Sequence, residues 1–178
     1  SSNIEYMQMH LQQLKKIDIQ LKPVSQELVL QLPKWATRKD LQDYFRAWPA
    51  VLDWDRPDLI AQRLEWAYGI YENETLIGLV QLCYPNAKAK TIEYGLLIDN
   101  QTCSDRIAAS WRVEELIRDY IFNVLDYNKI YVRILESRKI LLARLLELGY
   151  TQEGLLKQST KIGTEYFNEL LLAKFKED

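Results

Sequence analysis

Towards its C-terminal end the chain reads Leu141-Leu142-Ala143-Arg144-Leu145-Leu146-Glu147-Leu148-Gly149-Tyr150, and this phrase constrains the fold more than any other. Its leucines recur at helical spacing, so the stretch is an amphipathic helix with one face to bury. Gly149 fits the C′ position, where a left-handed backbone ends a helix without a Cβ penalty. Tyr150 then opens a strand to Lys157, and Lys161-Ile162-Gly163-Thr164 turns the chain into another, Glu165 to Phe175.

The remaining elements follow from the same periodicities. Ile17, Ile19 and Leu21 alternate with Asp18, Gln20 and Lys22, predicting a half-buried strand ended by Pro23. Helices fill Ser25 to Ala67, with Thr37 and Asp40 as a capping box and Pro57 in a first turn. Tyr68–Glu72, the turn Asn73-Glu74 and Thr75–Leu82 read as a hairpin, Pro85–Lys90 as a loop and Thr91–Asp99 as a strand. Asp105 to Asp126 reads as one long helix whose apolar stripe includes Ile107, Trp111, Ile117 and Val124. Lys129–Leu135 is a strand and Ser137–Leu148 a helix. The expected fold is α+β, a mixed and mostly antiparallel sheet of about seven strands with helices on both faces. Residues 17–178 form one domain, and residues 1–16 a helical N-terminal extension.

Composition excludes several functions. A net charge of −2, with no run of basic residues, argues against a direct nucleic-acid binder. No stretch is long and apolar enough for a membrane span, and Cys83 and Cys103 read as reduced thiols, so a cytoplasmic location is expected. His10 is the only histidine and Asp53-x-Asp55 has no partner nearby, so no metal site is expected.

The run from Leu148 to Gly154, leucine-glycine-aromatic, two residues, then glutamate-glycine, resembles the close of the GNAT acyl-CoA N-acyltransferases. Gln20-Leu21-Lys22-Pro23, Asn73-Glu74-Thr75-Leu76-Ile77-Gly78 and Glu93-Tyr94-Gly95 resemble, in order, phrases of the branch that acetylates ribosomal-protein N-termini. The resemblance spans about Ile17 to Phe175. It implies acetyl-CoA or another acyl-CoA as co-substrate, no metal, and a small-molecule or peptide amine as acceptor.

The resemblance also assigns roles. Glu93 is the candidate catalytic base, on the face that Gly95 leaves open. Leu96 and Ile98 continue that strand along the pantetheine arm. The family holds pyrophosphate at a helix start with Gln or Arg, two residues, Gly, one residue, then Gly or Ala. Here Gln101 keeps the lead, Ser104 and Arg106 replace the glycines, and Asp105 and Ile107 complete the stretch. Ser104-Asp105 reads either as a variant cofactor loop or as a plain helix start. Arg106 either clamps a phosphate or obstructs it. Arg138 stands where relatives carry a cofactor-holding asparagine, and is either beside the phosphates or solvated.

The tyrosine that reprotonates the departing thiolate in many relatives is here Leu145, and a serine of the ribosomal branch is Leu141. Trp48 and Trp54 are acceptor-side candidates, as are Tyr166 and Asn168. The leading expectation is direct attack by an amine in a ternary complex. The departures at Arg106, Arg138 and Leu145 leave a rival, a catalytically impaired domain that binds a partner or ligand.

Overall fold

In Lys129–Leu135, Ile130, Val132 and Ile134 are buried while Lys129, Tyr131 and Arg133 face outward, the alternation of a pleated strand. The computed structural model describes residues 3–8, 17–49 and 53–177. Its elements are β1 (Ile19–Pro23), α2 (Gln26–Ala36), a 3₁₀ turn (Lys39–Leu41), α3 (Gln42–Phe45), α4 (Pro57–Arg63), β2 (Ala67–Glu72), β3 (Thr75–Asn86), β4 (Thr91–Ile98), α5 (Arg106–Asp119), β5 (Lys129–Leu135), α6 (Lys139–Glu147), β6 (Thr151–Ile162) and β7 (Glu165–Phe175). A first helix, α1, covers residues 3–8 and is exposed, whereas His10 lies outside the described residues. The seven strands run in the order β1-β2-β3-β4-β5-β7-β6, antiparallel except between β4 and β5.

Two apolar layers sandwich the sheet. On one face Val113, Ile117, Ile121 and Leu145 pack against Ile92, Ile130, Val132 and Leu172. On the other, Leu28, Leu32, Trp35 and Ile60 pack against Leu79 and Leu97. Both faces of β4 are therefore covered, as its near-continuous apolar sequence requires.

Local chemistry fixes several boundaries. Asn73 and Glu74 both have positive φ, 47° and 69°, which makes the two-residue loop between β2 and β3 a type I′ turn. Gly149 has φ 94°; its N–H donates to Leu146 O at 3.1 Å and the Tyr150 N–H to Leu145 O at 3.0 Å, the two bonds of a Schellman motif.

Other boundaries differ from the sequence reading. Ser25, not Thr37, caps a helix start: its Oγ accepts from Leu28 N at 3.3 Å. Burial of Leu28, Val29, Leu32 and Trp35 carries α2 past Pro33, so Thr37 closes that helix and its hydroxyl donates to Lys34 O. No capping box forms there, because Arg38 holds the Asp40 carboxylate. β3 extends through a bulge to Asn86 and takes part of the expected loop. The long helix loosens after Asp119 into a π-helical segment, Tyr120–Val124, with Leu125 N donating to Tyr120 O. Ile107 and Val124, expected on its buried stripe, are 51% and 67% exposed.

Candidate active site

β4 and β5 pair only through Thr91–Lys129, Ile92–Ile130 and Glu93–Tyr131. Beyond Glu93 they part, leaving the β4 main chain from Tyr94 to Ile98 without a ladder partner on the β5 side. A cavity of about 510 Å³ opens in the gap. Leu96 and Ile98 line it from β4, Val132 and Ile134 from β5, Ile107 and Trp111 from α5, and Leu141 and Leu145 from α6.

Glu93 lies on the cavity wall at the point of divergence, opposite Cys83 of β3. Arg133 Nη2 approaches its Oε1 at 3.5 Å. Burial raises the Glu93 carboxyl above its ordinary pKa; Arg133 opposes this, Glu169 reinforces it, and the balance remains upward. Cys83 is pushed up to about 11, first by burial and then by the Glu93 charge. The side of β4 that Gly95 leaves open holds the Tyr44 ring, whose Cε2 lies 3.8 Å from where a Cβ on Gly95 would sit. The Tyr44 hydroxyl donates to Gln81 Oε1 at 3.2 Å, and burial raises its pKa.

The loop before α5 is closed upon itself. Asp105 caps the helix, accepting from Ala108 N at 3.0 Å. The Glu72 carboxylate, on β2, accepts from Ser104 N at 2.9 Å and from the Ser104 hydroxyl. Asp99 accepts from Gln101 N through its side chain and from Thr102 N and Cys103 N through its carbonyl. Gln101, Ser104 and Asp105, expected at the cofactor, are therefore engaged in building the loop and do not line the cavity, whereas Arg106 and Ile107 do.

Arg138 is on the cavity wall as an ion-pair partner of Asp43 on α3, with its side chain still 39% exposed. Trp48 lines the cavity, while Trp54 stacks behind it at 5.8 Å and 16° and does not. Tyr166 is 59% exposed beneath Lys161, away from the cavity. The Asn168 side chain donates to Glu136 and accepts from Gln158 N, so it too is turned to structural bonding.

The cavity also gathers residues that the sequence reading passed over: Tyr44, Arg46, Cys83, Arg133, Arg144 and Glu169. Glu169 is one residue beyond Asn168, and alternation in a strand separates the two faces. For Cys83 and Arg133 the signal lies in strand register, which no local pattern encodes.

The wall suits a long, partly peptide-like thioester. It offers an unpaired strand edge, apolar flanks and cationic side chains. It also holds an orphan donor, because Arg144 Nε is buried with no hydrogen-bond partner. Among the described residues no group of three or more His, Cys, Asp or Glu is gathered to hold a metal, and no helix is long and apolar enough to cross a membrane.

Residues 56–171 match the model of the acetyltransferase (GNAT) domain, and the chain belongs to that family. It is an acyl-CoA N-acyltransferase, with acetyl-CoA as the family's co-substrate. Among solved structures it is similar to spermidine N-acetyltransferase from Vibrio cholerae in complex with CoA and spermine, at 16% identity and TM-score 0.78 over 89% of this chain and 96% of that one. A dodecameric structure of spermidine N-acetyltransferase from the same organism matches at 16% identity and TM-score 0.75, over 89% and 94%. At such identities the likeness speaks for the fold alone. No curated protein matches the chain.

Proposed function

We propose that this enzyme acetylates a primary amine by direct attack within a ternary complex, with Glu93 as the base. The observation that carries the reading is Glu93 itself: a carboxylate of raised proton affinity, at the point where β4 and β5 separate, inside the cavity. An amine arrives as ammonium and must lose a proton before it can attack. Glu93, directly or through water, accepts that proton, and Arg133 fixes the carboxylate from the neighbouring strand. Acetyl-CoA supplies the acyl group already activated as a thioester. The unpaired edge of β4 offers main-chain N–H groups to a carbonyl oxygen in the gap. Leu145 and Leu141 provide no proton donor from α6, so solvent at the cavity mouth protonates the departing thiolate.

The acceptor we favour is a protein N-terminus, from the three phrases shared with the ribosomal-protein branch. Trp48, on the cavity wall, is its candidate contact. A polyamine is the second reading, since the solved relatives are spermidine N-acetyltransferases. Residues 17–178 are taken as the catalytic domain, in a cytoplasmic protein, with residues 1–16 as an extension.

Acetyl-CoA consumption assayed with peptides bearing free N-termini and, separately, with spermidine and spermine tests the acceptor. Turnover on peptides alone supports the first reading, and on polyamines alone the second. Binding of CoA with no turnover on any amine would leave only the rival, a ligand-binding module.

A further inference from the structure

Beside the main cavity lies a second, more open hollow of about 330 Å³. Tyr84, Glu93 and Arg133 line both, and Thr91, Tyr131, Glu153 and Leu171 line the second alone. Glu93 is in register with Tyr131, and Arg133 follows Tyr131 by two residues on β5. The Glu93 carboxylate and the Arg133 guanidinium therefore stand on one face of the sheet, where the two hollows adjoin.

The other carboxylates on these walls already have cations. Asp40 is held by Arg38, Asp43 by Arg46 and Arg138, Glu169 by Arg46, and Glu153 by Lys129. Glu93 is matched only loosely, because Arg133 Nη2 stands 3.5 Å from its Oε1, beyond the length of a charge-assisted hydrogen bond. The Arg133 side chain is 40% exposed, and a guanidinium carries five N–H donors in a fixed fork. An incoming ammonium thus finds one carboxylate able to take its proton, with a cation at its side. A second ammonium close to the first would find no carboxylate left and would be repelled by Arg133.

We propose that Arg133 binds an oxygen of the acceptor next to the reacting amine, so that the acceptor is an α-aminoacyl group with its nitrogen at Glu93 and its carbonyl or carboxylate oxygen on Arg133. This rests on the acetylation reading with Glu93 as base, and adds to it the group that selects the acceptor. A peptide N-terminus and a free amino acid share this chemistry. The rest of the acceptor lies in the second hollow, against Tyr84 and Tyr131, and leaves the wider gap to the thioester. Once Glu93 has taken the ammonium proton, the nitrogen bonds the acetyl carbon, the C–S bond breaks, and the thiolate takes a proton from solvent.

Acetyl-CoA consumption by the full chain tests it on alanine, serine and leucine, their amides, tripeptides beginning with each, spermidine and isopropylamine. The last has a methyl where alaninamide has its carboxamide. At pH 7, kcat/KM should be about 10- to 100-fold higher for the best aminoacyl acceptor than for either amine without a carbonyl, the worth of a hydrogen bond to a charged group. Arg133→Leu should erase most of that preference, and Arg133→Lys should keep part of it. Peptides outrunning free amino acids would name a protein N-terminus as the source, and the reverse order a free amino acid; either supports the assignment. Spermidine or isopropylamine matching the aminoacyl set on the parent chain would overturn it without recourse to a variant. So would an equal loss on every acceptor in Arg133→Leu, because Arg133 would then act only through Glu93. No turnover on any amine would defeat the acetylation reading itself, whereas turnover confined to amines without a carbonyl defeats this assignment alone.

Discussion

Arg46 reaches from the end of α3 to Glu169 on β7, Nε to Oε2 at 3.0 Å, and the same guanidinium donates to the Arg133 carbonyl on β5 at 2.8 Å. It also bonds Asp43, which in turn holds Arg138 at the start of α6. One arginine thereby ties the helices of the first half of the chain to the strands of the second, across the cavity.

Glu169 is only 5% exposed, and without Arg46 its carboxylate would keep just the Ser159 hydroxyl. Arg46→Leu should therefore cost about 3 kcal/mol, the usual penalty for stranding a buried charge. Adding Glu169→Leu should recover most of it. Urea unfolding of the two single variants and the double variant measures the coupling, and strictly additive losses would contradict it.

Glu93→Gln should lower kcat at neutral pH by about 10² to 10⁴-fold, the range for a general base, and leave CoA affinity nearly unchanged. Because the carboxyl lies above its ordinary value of 4.5, the acid limb of kcat/KM should have its midpoint above that pH. The sign for stability is opposite to that for activity. A carboxyl raised by folding binds its proton more tightly in the native state, so its contribution falls as pH rises from 4.5 through the folded value. The glutamine variant should consequently melt slightly higher at pH 7. A lower melting temperature would show that the ionised group is stabilising instead.

Cys83, held near 11, should react slowly with iodoacetamide at neutral pH, and CoA should protect it because it shares the cavity. Removing the neighbouring charge with Glu93→Gln should speed the labelling. Mass spectrometry of the Cys83 peptide over a pH series reads both effects. Labelling as fast as a free thiol would contradict the buried environment.

Asp99 accepts from Trp35 Nε1 at 3.0 Å, from Arg38 Nη1 at 2.6 Å and from Gln101 N at 3.0 Å. Burial opposes its ionisation, but these donors outweigh burial and hold the carboxyl below its ordinary 3.8. Its contribution is complete above pH 3.8 and is lost as pH falls from there through the lower folded value. Asp99→Asn should cost about 1–3 kcal/mol and flatten the acid limb of the stability curve below pH 4, which thermal unfolding between pH 2 and 7 will show.

What could be read in advance was what neighbours in sequence decide. Gly149 as a helix stop, the Asn73-Glu74 turn and the strand Lys129–Leu135 each depend on a few adjacent residues, and each is found where the pattern puts it. The site was legible only in outline. Glu93, Leu96, Ile98 and Arg106 could be placed along one strand and the next helix, and all four reach the cavity. Glu72 capping Ser104 from 32 residues away, or Arg46 meeting Glu169, depends on strand order and register, to which periodicity is blind. Thr37 misled because its local spacing to Asp40 suits a cap, while the burial of α2 and the grip of Arg38 decided otherwise. Tyr166 and Asn168 misled by a single residue of parity, since Glu169 faces the cavity and they do not.

The three residue pairs that join β4 to β5 form a very short seam between two plates, β1–β4 on one side and β5–β7 on the other. Arg46 and the apolar layer under α5 also bridge that seam, and a ligand lying along the gap would add mortar to it. Amides in Thr91–Glu93 and Lys129–Tyr131 should still exchange with solvent faster than those deep in either plate, and slow sharply once CoA fills the gap. The ligand would then be a part of the sheet as much as its cargo.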